Sequence, residues 1–183
     1  SAQVFEYISH AQDYGIQVDN ASANFGEMIG RSRGVAEGMS KGVQFLMKKN
    51  KIDVIMGYGM LKPGKKVSVK NDKGEEKDYS AKHIIIATGG RSRSMKGLEQ
   101  DGEKIIGYRE AMSLKEQPNK MVVVGSGAIG VEFAYFYNSL GTEVTIVEYL
   151  DAIVPREDKD VSKELGKIMK KKGINLMTGS AVQ

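Results

Sequence analysis

The chain of 183 residues contains no cysteine and no tryptophan, and it has only two histidines and three prolines. The lack of cysteine excludes disulfides, thiolate metal sites and cysteine nucleophiles from these residues. The two histidines, His10 and His83, stand far apart in the sequence, and two isolated imidazoles do not make a metal cluster. We therefore predict no metal site in this chain.

Long hydrophobic runs and a strong charge imbalance are also missing. No apolar run approaches the roughly 20 residues that a membrane-spanning helix needs, and the first residues lack the basic head of a signal peptide. We expect a soluble, cytoplasmic protein that does not bind membranes. The net charge is +4, but the lysines are spread over several segments without interleaved aromatic residues. Binding to nucleic acid is therefore not expected.

The first half of the chain predicts helices followed by short strands. Apolar residues at helical spacing predict an amphipathic helix over residues 2–13 and a longer helix from Phe25 to Asn50. Within the longer helix, glycines recur every four residues, and we interpret them as a face lying close against a neighbour. These glycines are Gly30, Gly34, Gly38 and Gly42.

Residues 52–90 carry the strand signals of this half. Residues 52–56 predict a buried strand that Gly57-Tyr58-Gly59 interrupts. Residues 71–74, Asn-Asp-Lys-Gly, predict a hairpin turn between two short strands. Residues 83–90 predict a hydrophobic strand that leads into a glycine turn. A polar connection over residues 91–106 and a short helix over 109–114 are expected to follow.

From residue 120 the pattern changes to alternating strands and helices. Residues 121–124 form a continuous apolar run, which is typical of a parallel sheet covered on both faces. The order βαβαβ predicts one half of a doubly wound α/β fold. The later elements are predicted as a helix over 128–140, a strand over 143–147, a helix over 158–172 and a strand over 174–177.

The turn after the first of these strands carries a dinucleotide-binding fingerprint, G-x-G-x-x-G. An acidic residue, Glu148, ends the next strand 23 residues after Gly125, close to the separation of about 20 expected in such sites. The alternative is a glycine-rich turn that binds no ligand. We predict that NAD(H) binds at Gly125, Ser126, Gly127, Ala128, Ile129, Gly130 and Glu148.

Each of these residue types has a physical task. Gly125 permits a tight turn, Gly127 lets the backbone approach a pyrophosphate, and Gly130 lets the helix pack closely on the strand. The start of the helix offers unpaired N–H groups and a positive dipole to the anion. The carboxylate of Glu148 accepts hydrogen bonds from a ribose hydroxyl and repels a 2′-phosphate, which favours NAD over NADP.

These segments together resemble the flavin-dependent pyridine nucleotide-disulfide oxidoreductases, and among them most closely the dihydrolipoamide dehydrogenase family. The resemblance covers essentially the whole chain and rests on residues 57–59, 84–90, 122–133 and 144–155. It implies a Rossmann-like NAD-binding βαβαβ unit plus part of an FAD-binding α/β domain with a β-hairpin or meander. We accordingly expect residues 1–117 to be a partial FAD-binding domain and residues 118–183 a partial NAD-binding domain.

The resemblance also implies further contacts to the cofactors. Gly59 would lie near the FAD adenine, and Thr88, Gly89 and Gly90 near its pyrophosphate and ribitol. Glu132 matches a family glutamate at the flavin–nicotinamide junction, and it is equally well an acidic residue near the start of a helix, favoured by the dipole. Val182 matches a family contact to the NAD adenine.

Three parts that the family carries are not found in these residues: the first FAD fingerprint, the redox cysteine pair and the C-terminal dimerisation domain. We hypothesise that the chain is an internal piece of a longer enzyme whose partners are a lipoamide-bearing protein and a second copy of itself. By itself the piece is expected to hold no catalytic residue, to bind FAD weakly or not at all, and to self-associate through exposed strand edges.

Two alternatives remain open. The parent could be another NADH-dependent flavin disulfide reductase, an NADH oxidase, a mercuric reductase or glutathione reductase, although Glu148 disfavours the members that use NADPH. The chain could also be a nucleotide-binding module without catalysis.

Overall fold

The computed structural model describes residues 1–182, which divide into two compact units. The larger unit contains residues 1–33 and the described residues from 92 onward, and the smaller unit contains residues 34–91. The helices are α1 Ala2–Ser9, a 3₁₀ helix Ala11–Tyr14, α2 Phe25–Lys49, α3 Tyr108–Ala111, α4 Ala128–Ser139 and α5 Lys159–Lys171. The strands are β1 Tyr58–Lys62, β2 Lys66–Lys70, β3 Glu76–Ser80, β4 Lys120–Val124, β5 Glu143–Val147 and β6 Asn175–Met177.

The larger unit contains a parallel three-stranded sheet in the order β4-β5-β6. Helices α4 and α5 connect these strands, so the predicted βαβαβ order is confirmed. The core forms where the middle strand meets the two helices, because alternate residues of β5 point into it. Its most deeply buried apolar side chains are Ala134, Tyr137, Val144, Ile146 and Ile174.

Within residues 1–182 one face of β4 is exposed, in contrast to the sequence-based expectation of a sheet covered on both faces. Val122 and Val124 are 64% and 43% exposed, whereas Met121 and Val123 pack against the core. Side chains alternate between the two faces of a strand, so only one of these pairs can reach the helices. The apolar run therefore predicted the strand correctly, but the prediction that both faces of the strand are covered is wrong for the described residues.

The N-terminal segment packs onto the helices of the larger unit. Phe25, at the start of α2, lies with its ring centroid 6.4 Å from that of Phe136 and 6.0 Å from that of Tyr137. The Tyr135 hydroxyl donates a 2.9 Å hydrogen bond to Gln3, and Lys172 forms a 2.7 Å ion pair with Glu6. These contacts hold α1 and the beginning of α2 against α4 and α5.

The smaller unit contains an antiparallel meander in the order β1-β2-β3. The predicted turn over residues 71–74 is confirmed. The side-chain oxygen of Asn71 accepts hydrogen bonds from the backbone N–H groups of Lys73 and Glu75, both at 3.0 Å. Such local bonds from asparagine mimic a backbone turn, which explains why this sequence reverses the chain.

Two of the strands predicted in the smaller unit are not formed. Residues 52–56 and 83–90 are irregular, and Met56 and Ile85 are 80% and 90% exposed. A strand needs a hydrogen-bonded neighbour, and no strand within the described residues pairs with either segment. Apolar composition alone therefore misled the prediction here.

The glycines of this region also differ from expectation. Gly57 ends the irregular segment, but Tyr58 and Gly59 belong to β1 instead of interrupting a strand. Gly57 has a φ of 151°, and a Cβ built on it would lie 2.6 Å from the Lys70 carbonyl oxygen, so this position requires glycine. The interpretation of the α2 glycines as a closely packed face is wrong for the described residues. A Cβ built on Gly30, Gly34, Gly38 or Gly42 meets nothing within 4 Å.

Candidate nucleotide-binding site

The turn between β4 and α4 brings the predicted fingerprint residues together. The N–H of Gly125 donates a 2.8 Å hydrogen bond to Val147 and extends the sheet by one residue, and its φ of 95° then turns the chain. Gly127 precedes α4 in an extended conformation, with a φ of −64° and a ψ of 172°, and no side chain caps the helix. Since the first N–H groups of a helix have no partner within it, the start of α4 presents free donors.

Two glycines of the turn differ in what surrounds them. A Cβ built on Gly130 would collide with the carbonyl oxygen of Gly125 and lie 3.2 Å from Cγ1 of Val123. A Cβ built on Gly127 meets nothing within 4 Å. Gly130 is thus required by the packing of the helix on the strand, whereas the space above Gly127 is open to a ligand.

Glu148 points toward this turn from the end of β5. Its Oε2 accepts hydrogen bonds from the N–H of Ser126 at 2.8 Å and from the Ser126 hydroxyl at 2.6 Å. Its Oε1 accepts one from the N–H of Leu150 at 2.9 Å. The residue is only 8% exposed. Ser126 and Glu148 are 22 residues apart in the sequence, and this contact brings the acidic residue and the fingerprint together in one site.

Two opposing effects set the pKa of Glu148. Burial raises the pKa of this carboxyl, but the hydrogen bonds that it accepts from the N–H of Leu150 and from Ser126 outweigh burial and hold the pKa below its usual range. The carboxylate is therefore ionised at neutral pH. An ionised carboxylate only accepts hydrogen bonds, which suits it to a ribose hydroxyl and opposes a phosphate.

Ser126 links the fingerprint to the segment before α5. The N–H of Val154 donates to the carbonyl oxygen of Ser126 at 3.0 Å and to its hydroxyl oxygen at 3.2 Å. The Ser162 hydroxyl donates to the carbonyl oxygen of Val154 at 3.1 Å. Val154 has a φ of 42°, which is rare for a β-branched residue and is held by these bonds.

Sequence reasoning missed this hydroxyl network. Position 126 is a variable position of the fingerprint, and its partners Glu148 and Val154 lie 22 and 28 residues further along. No local pattern links residues at such separations. The sequence offered only one signal for this network, which is the hydroxyl group of the residue at position 126.

Comparison with known proteins agrees with this geometry. The family model described as pyridine nucleotide-disulphide oxidoreductase matches residues 5–183. The chain belongs to this family. A structural comparison with the crystal structure of LpdA from Mycobacterium tuberculosis gives a TM-score of 0.87 at 24% identity and covers 97% of this chain and 39% of that one. The mixed α/β fold is therefore that of an established family structure.

Relatives in this family include named dihydrolipoyl dehydrogenases. The chain is 43% identical over 183 residues to the enzyme of Zymomonas mobilis, which covers all of this chain and 39% of that protein. It is 40% identical over 191 aligned residues to the enzyme of Bacillus subtilis, which covers all of this chain and 40% of that protein. The chain thus spans about two fifths of the length of these relatives.

The other residues predicted to contact the cofactors lie at different places in the fold. Ala128, Ile129 and Glu132 are exposed on the first turns of α4, and Val182 is 40% exposed after β6. In the smaller unit, Gly59 lies in β1, whereas Thr88, Gly89 and Gly90 are exposed in the irregular segment. Their contacts with cofactors, and the predicted boundary between residues 117 and 118, stay predictions.

The part of the chain that the structure describes contains neither a membrane-spanning helix nor a cluster of metal-binding side chains. No helix over residues 1–182 has the length and apolar character needed to cross a membrane. Over the same residues, no group of three or more histidine, cysteine or acidic side chains is arranged to hold a metal ion.

Proposed function

We propose that this chain binds NAD(H) at the turn between β4 and α4 and forms part of a dihydrolipoyl dehydrogenase. One observation carries the proposal: the buried carboxylate of Glu148 lies against the glycine turn at the uncapped start of α4. Family membership and the names of the relatives support the same assignment.

The residues of the turn fit the two polar parts of the nucleotide. The free N–H groups at the start of α4 would bind the pyrophosphate, and the open space above Gly127 would admit it. Glu148 would bind the ribose next to the adenine. Its negative charge would disfavour a 2′-phosphate, so NAD is the expected cofactor. Val182 would contact the adenine, and Glu132 would lie toward the nicotinamide end.

For the whole protein we propose the oxidation of a dihydrolipoyl group carried by a partner protein. When bound, FAD supplies the electron transfer between a thiol pair and NAD⁺. Gly59, Thr88, Gly89 and Gly90 would form part of its cradle, and the exposed backbone at residues 88–90 leaves room for it. The working protein would be a cytoplasmic homodimer.

The 183-residue chain alone would turn over no dihydrolipoamide, because it contains no thiol. Its own contribution is to bind and orient the nicotinamide nucleotide. A dithiol-dependent reduction of NAD⁺ by the purified chain would contradict this part of the proposal. FAD is expected to bind weakly, so flavin absorption bands in the purified chain would contradict that expectation.

Titration of the purified chain with NADH, followed by calorimetry, tests the assignment. We expect saturable binding that Gly127→Ala weakens at least about tenfold, since a methyl group would displace the pyrophosphate and tenfold corresponds to about 1.4 kcal/mol. The variant should unfold at the same temperature as the wild type, because its Cβ meets no atom within 4 Å.

The matched control is Gly38→Ala in α2, where the added methyl group also meets nothing within 4 Å. It should bind NADH like the wild type. The proposal fails if the wild-type chain shows no saturable binding, or if Gly127→Ala binds NADH as tightly as the wild type does.

A further inference from the structure

We propose that Ser126 is a positioning residue whose hydroxyl fixes the Glu148 carboxylate so that it accepts one hydroxyl of the nucleotide ribose. The inference rests on the proposed function, because it concerns how the same site recognises NAD(H). It assigns a specific role to a side chain at a variable position of the fingerprint, where the motif itself requires only backbone.

The direction of the hydrogen bonds around the Ser126 hydroxyl is determined by its neighbours. The N–H of Val154 can only donate, and it shares its hydrogen between the Ser126 carbonyl oxygen at 3.0 Å and the Ser126 hydroxyl oxygen at 3.2 Å. The ionised carboxylate of Glu148 can only accept, so it receives the hydroxyl hydrogen at 2.6 Å. The hydroxyl is fully buried and both of its polar functions are used, so it cannot rotate without losing a bond.

The carboxylate has little acceptor capacity left for a ligand. Two oxygens offer about four lone-pair positions. Ser126 occupies two of them on Oε2 through its N–H and its hydroxyl, and Leu150 occupies one on Oε1. The remaining position is on Oε1, so Glu148 accepts one ribose hydroxyl. We assign it to the 2′-hydroxyl, the group that an acidic residue at this place recognises.

The network also explains why the carboxylate is held before a ligand arrives. A glutamate side chain loses rotamer freedom when it binds a ligand, and prior ordering removes that cost from binding. Charge-assisted hydrogen bonds to the serine hydroxyl are stronger than neutral ones. Ser126 therefore contributes to affinity through Glu148, without itself touching the nucleotide through its side chain.

The test compares NAD⁺ with its analogue that lacks the adenosine 2′-hydroxyl, 2′-deoxy-NAD⁺, by calorimetry on the 183-residue chain. The wild type should bind NAD⁺ about tenfold more tightly than the analogue, as expected for a hydrogen bond to a charged group. Ser126→Ala should reduce this ratio about threefold or more and leave the affinity for the analogue within about twofold.

Ser162→Ala is the matched control. It also removes a buried hydroxyl that bonds to the Val154 segment, but Ser162 does not contact Glu148. It should therefore preserve the wild-type ratio, even where its unfolding temperature falls as far as that of Ser126→Ala. A purely structural role for Ser126 would instead weaken both nucleotides equally, and that result would overturn the inference.

A measurement on the wild type remains decisive if Ser126→Ala does not fold. The single free position on Oε1 predicts that 3′-deoxy-NAD⁺ binds like NAD⁺, whereas 2′-deoxy-NAD⁺ binds more weakly. Equal losses for the two analogues would overturn the inference while leaving the proposed function intact. Absence of any binding of NAD⁺ to the wild type would overturn the proposed function as well.

Discussion

The hydroxyl of Tyr137 donates a 2.6 Å hydrogen bond to the carbonyl oxygen of Ala111, and thereby joins the last turn of α4 to the end of α3. Tyr137 is fully buried, and its ring also packs against Phe25, Phe133 and Phe136. One side chain thus connects three segments of the larger unit. Its removal provides a direct test of how this unit is stabilised.

Tyr137→Phe should destabilise the larger unit by about 1–3 kcal/mol, because the ring remains while the buried carbonyl of Ala111 loses its donor. Urea unfolding followed by circular dichroism measures the change. Tyr149→Phe is the control, since Tyr149 is 75% exposed and should leave stability unchanged. Equal stability of the Tyr137 variant and the wild type would show that the hydrogen bond contributes little.

Alkaline unfolding should depend on the same phenol. Burial raises the pKa of Tyr137 to about 12, above the value of about 10 for an exposed tyrosine. A raised pKa favours the protonated form in the folded state. Its contribution to stability is complete below about pH 10 and is lost as the pH rises toward 12. The pH dependence of the unfolding midpoint should therefore be steeper for the wild type than for Tyr137→Phe in that interval.

Glu148→Gln should weaken the larger unit at neutral pH and abolish the preference for NAD⁺ over 2′-deoxy-NAD⁺. The pKa of Glu148 is lower in the folded state than in the unfolded state. The ionised carboxylate therefore stabilises the fold above the unfolded pKa of about 4.3, and this stabilisation is lost as the pH falls through the folded-state pKa. The expected loss at pH 7 is about 1–3 kcal/mol, because an amide has a single oxygen and cannot accept both from the Ser126 donors and from the Leu150 N–H.

The measurement is the urea midpoint of the wild type and Glu148→Gln at pH 7 and at pH 3. The difference between the two proteins should shrink at the lower pH. A difference that is the same at both values would mean that the charge of Glu148 does not contribute. Glu132→Gln, which changes an exposed carboxylate on α4, is the control and should leave both midpoints unchanged.

Gly130→Ala should destabilise the larger unit by about 1–3 kcal/mol, the usual cost of forcing an extra methyl group into a packed site. The added Cβ would collide with the carbonyl oxygen of Gly125 and press on Val123. The thermal unfolding midpoint measures the change. Gly127→Ala is the internal comparison, since it should lose nucleotide affinity without losing stability. The same unfolding midpoint for both variants would contradict the packing role of Gly130.

Ile85→Lys should reduce self-association of the purified chain. Ile85 and Ile86 are 90% and 67% exposed in the irregular segment over residues 83–90, and exposed apolar segments of this kind promote pairing between chains. Light scattering over a range of protein concentrations measures the apparent mass. Lys82→Ile, which adds an apolar group beside the segment, should increase association. A wild-type chain that stays monomeric at high concentration would contradict this expectation.

The sequence predicted the larger unit well because its signals are local. An apolar strand, a glycine turn and an amphipathic helix follow one another from residue 120, and each element packs against the next. The same reasoning failed at residues 52–56 and 83–90, where the apolar residues are present but no described strand pairs with them. It also missed the contact of Ser126 with Glu148, because hydrogen bonds between side chains distant in sequence leave no periodic pattern.

Phe25 packs against Phe136, which lies 111 positions later in the chain and is therefore synthesised after it. The smaller unit, residues 34–91, is complete well before that partner leaves the ribosome. Since synthesis adds about 5–20 residues per second, Phe25 waits several seconds before Phe136 is available. We therefore expect the meander to form during translation, before Phe25 packs against α4.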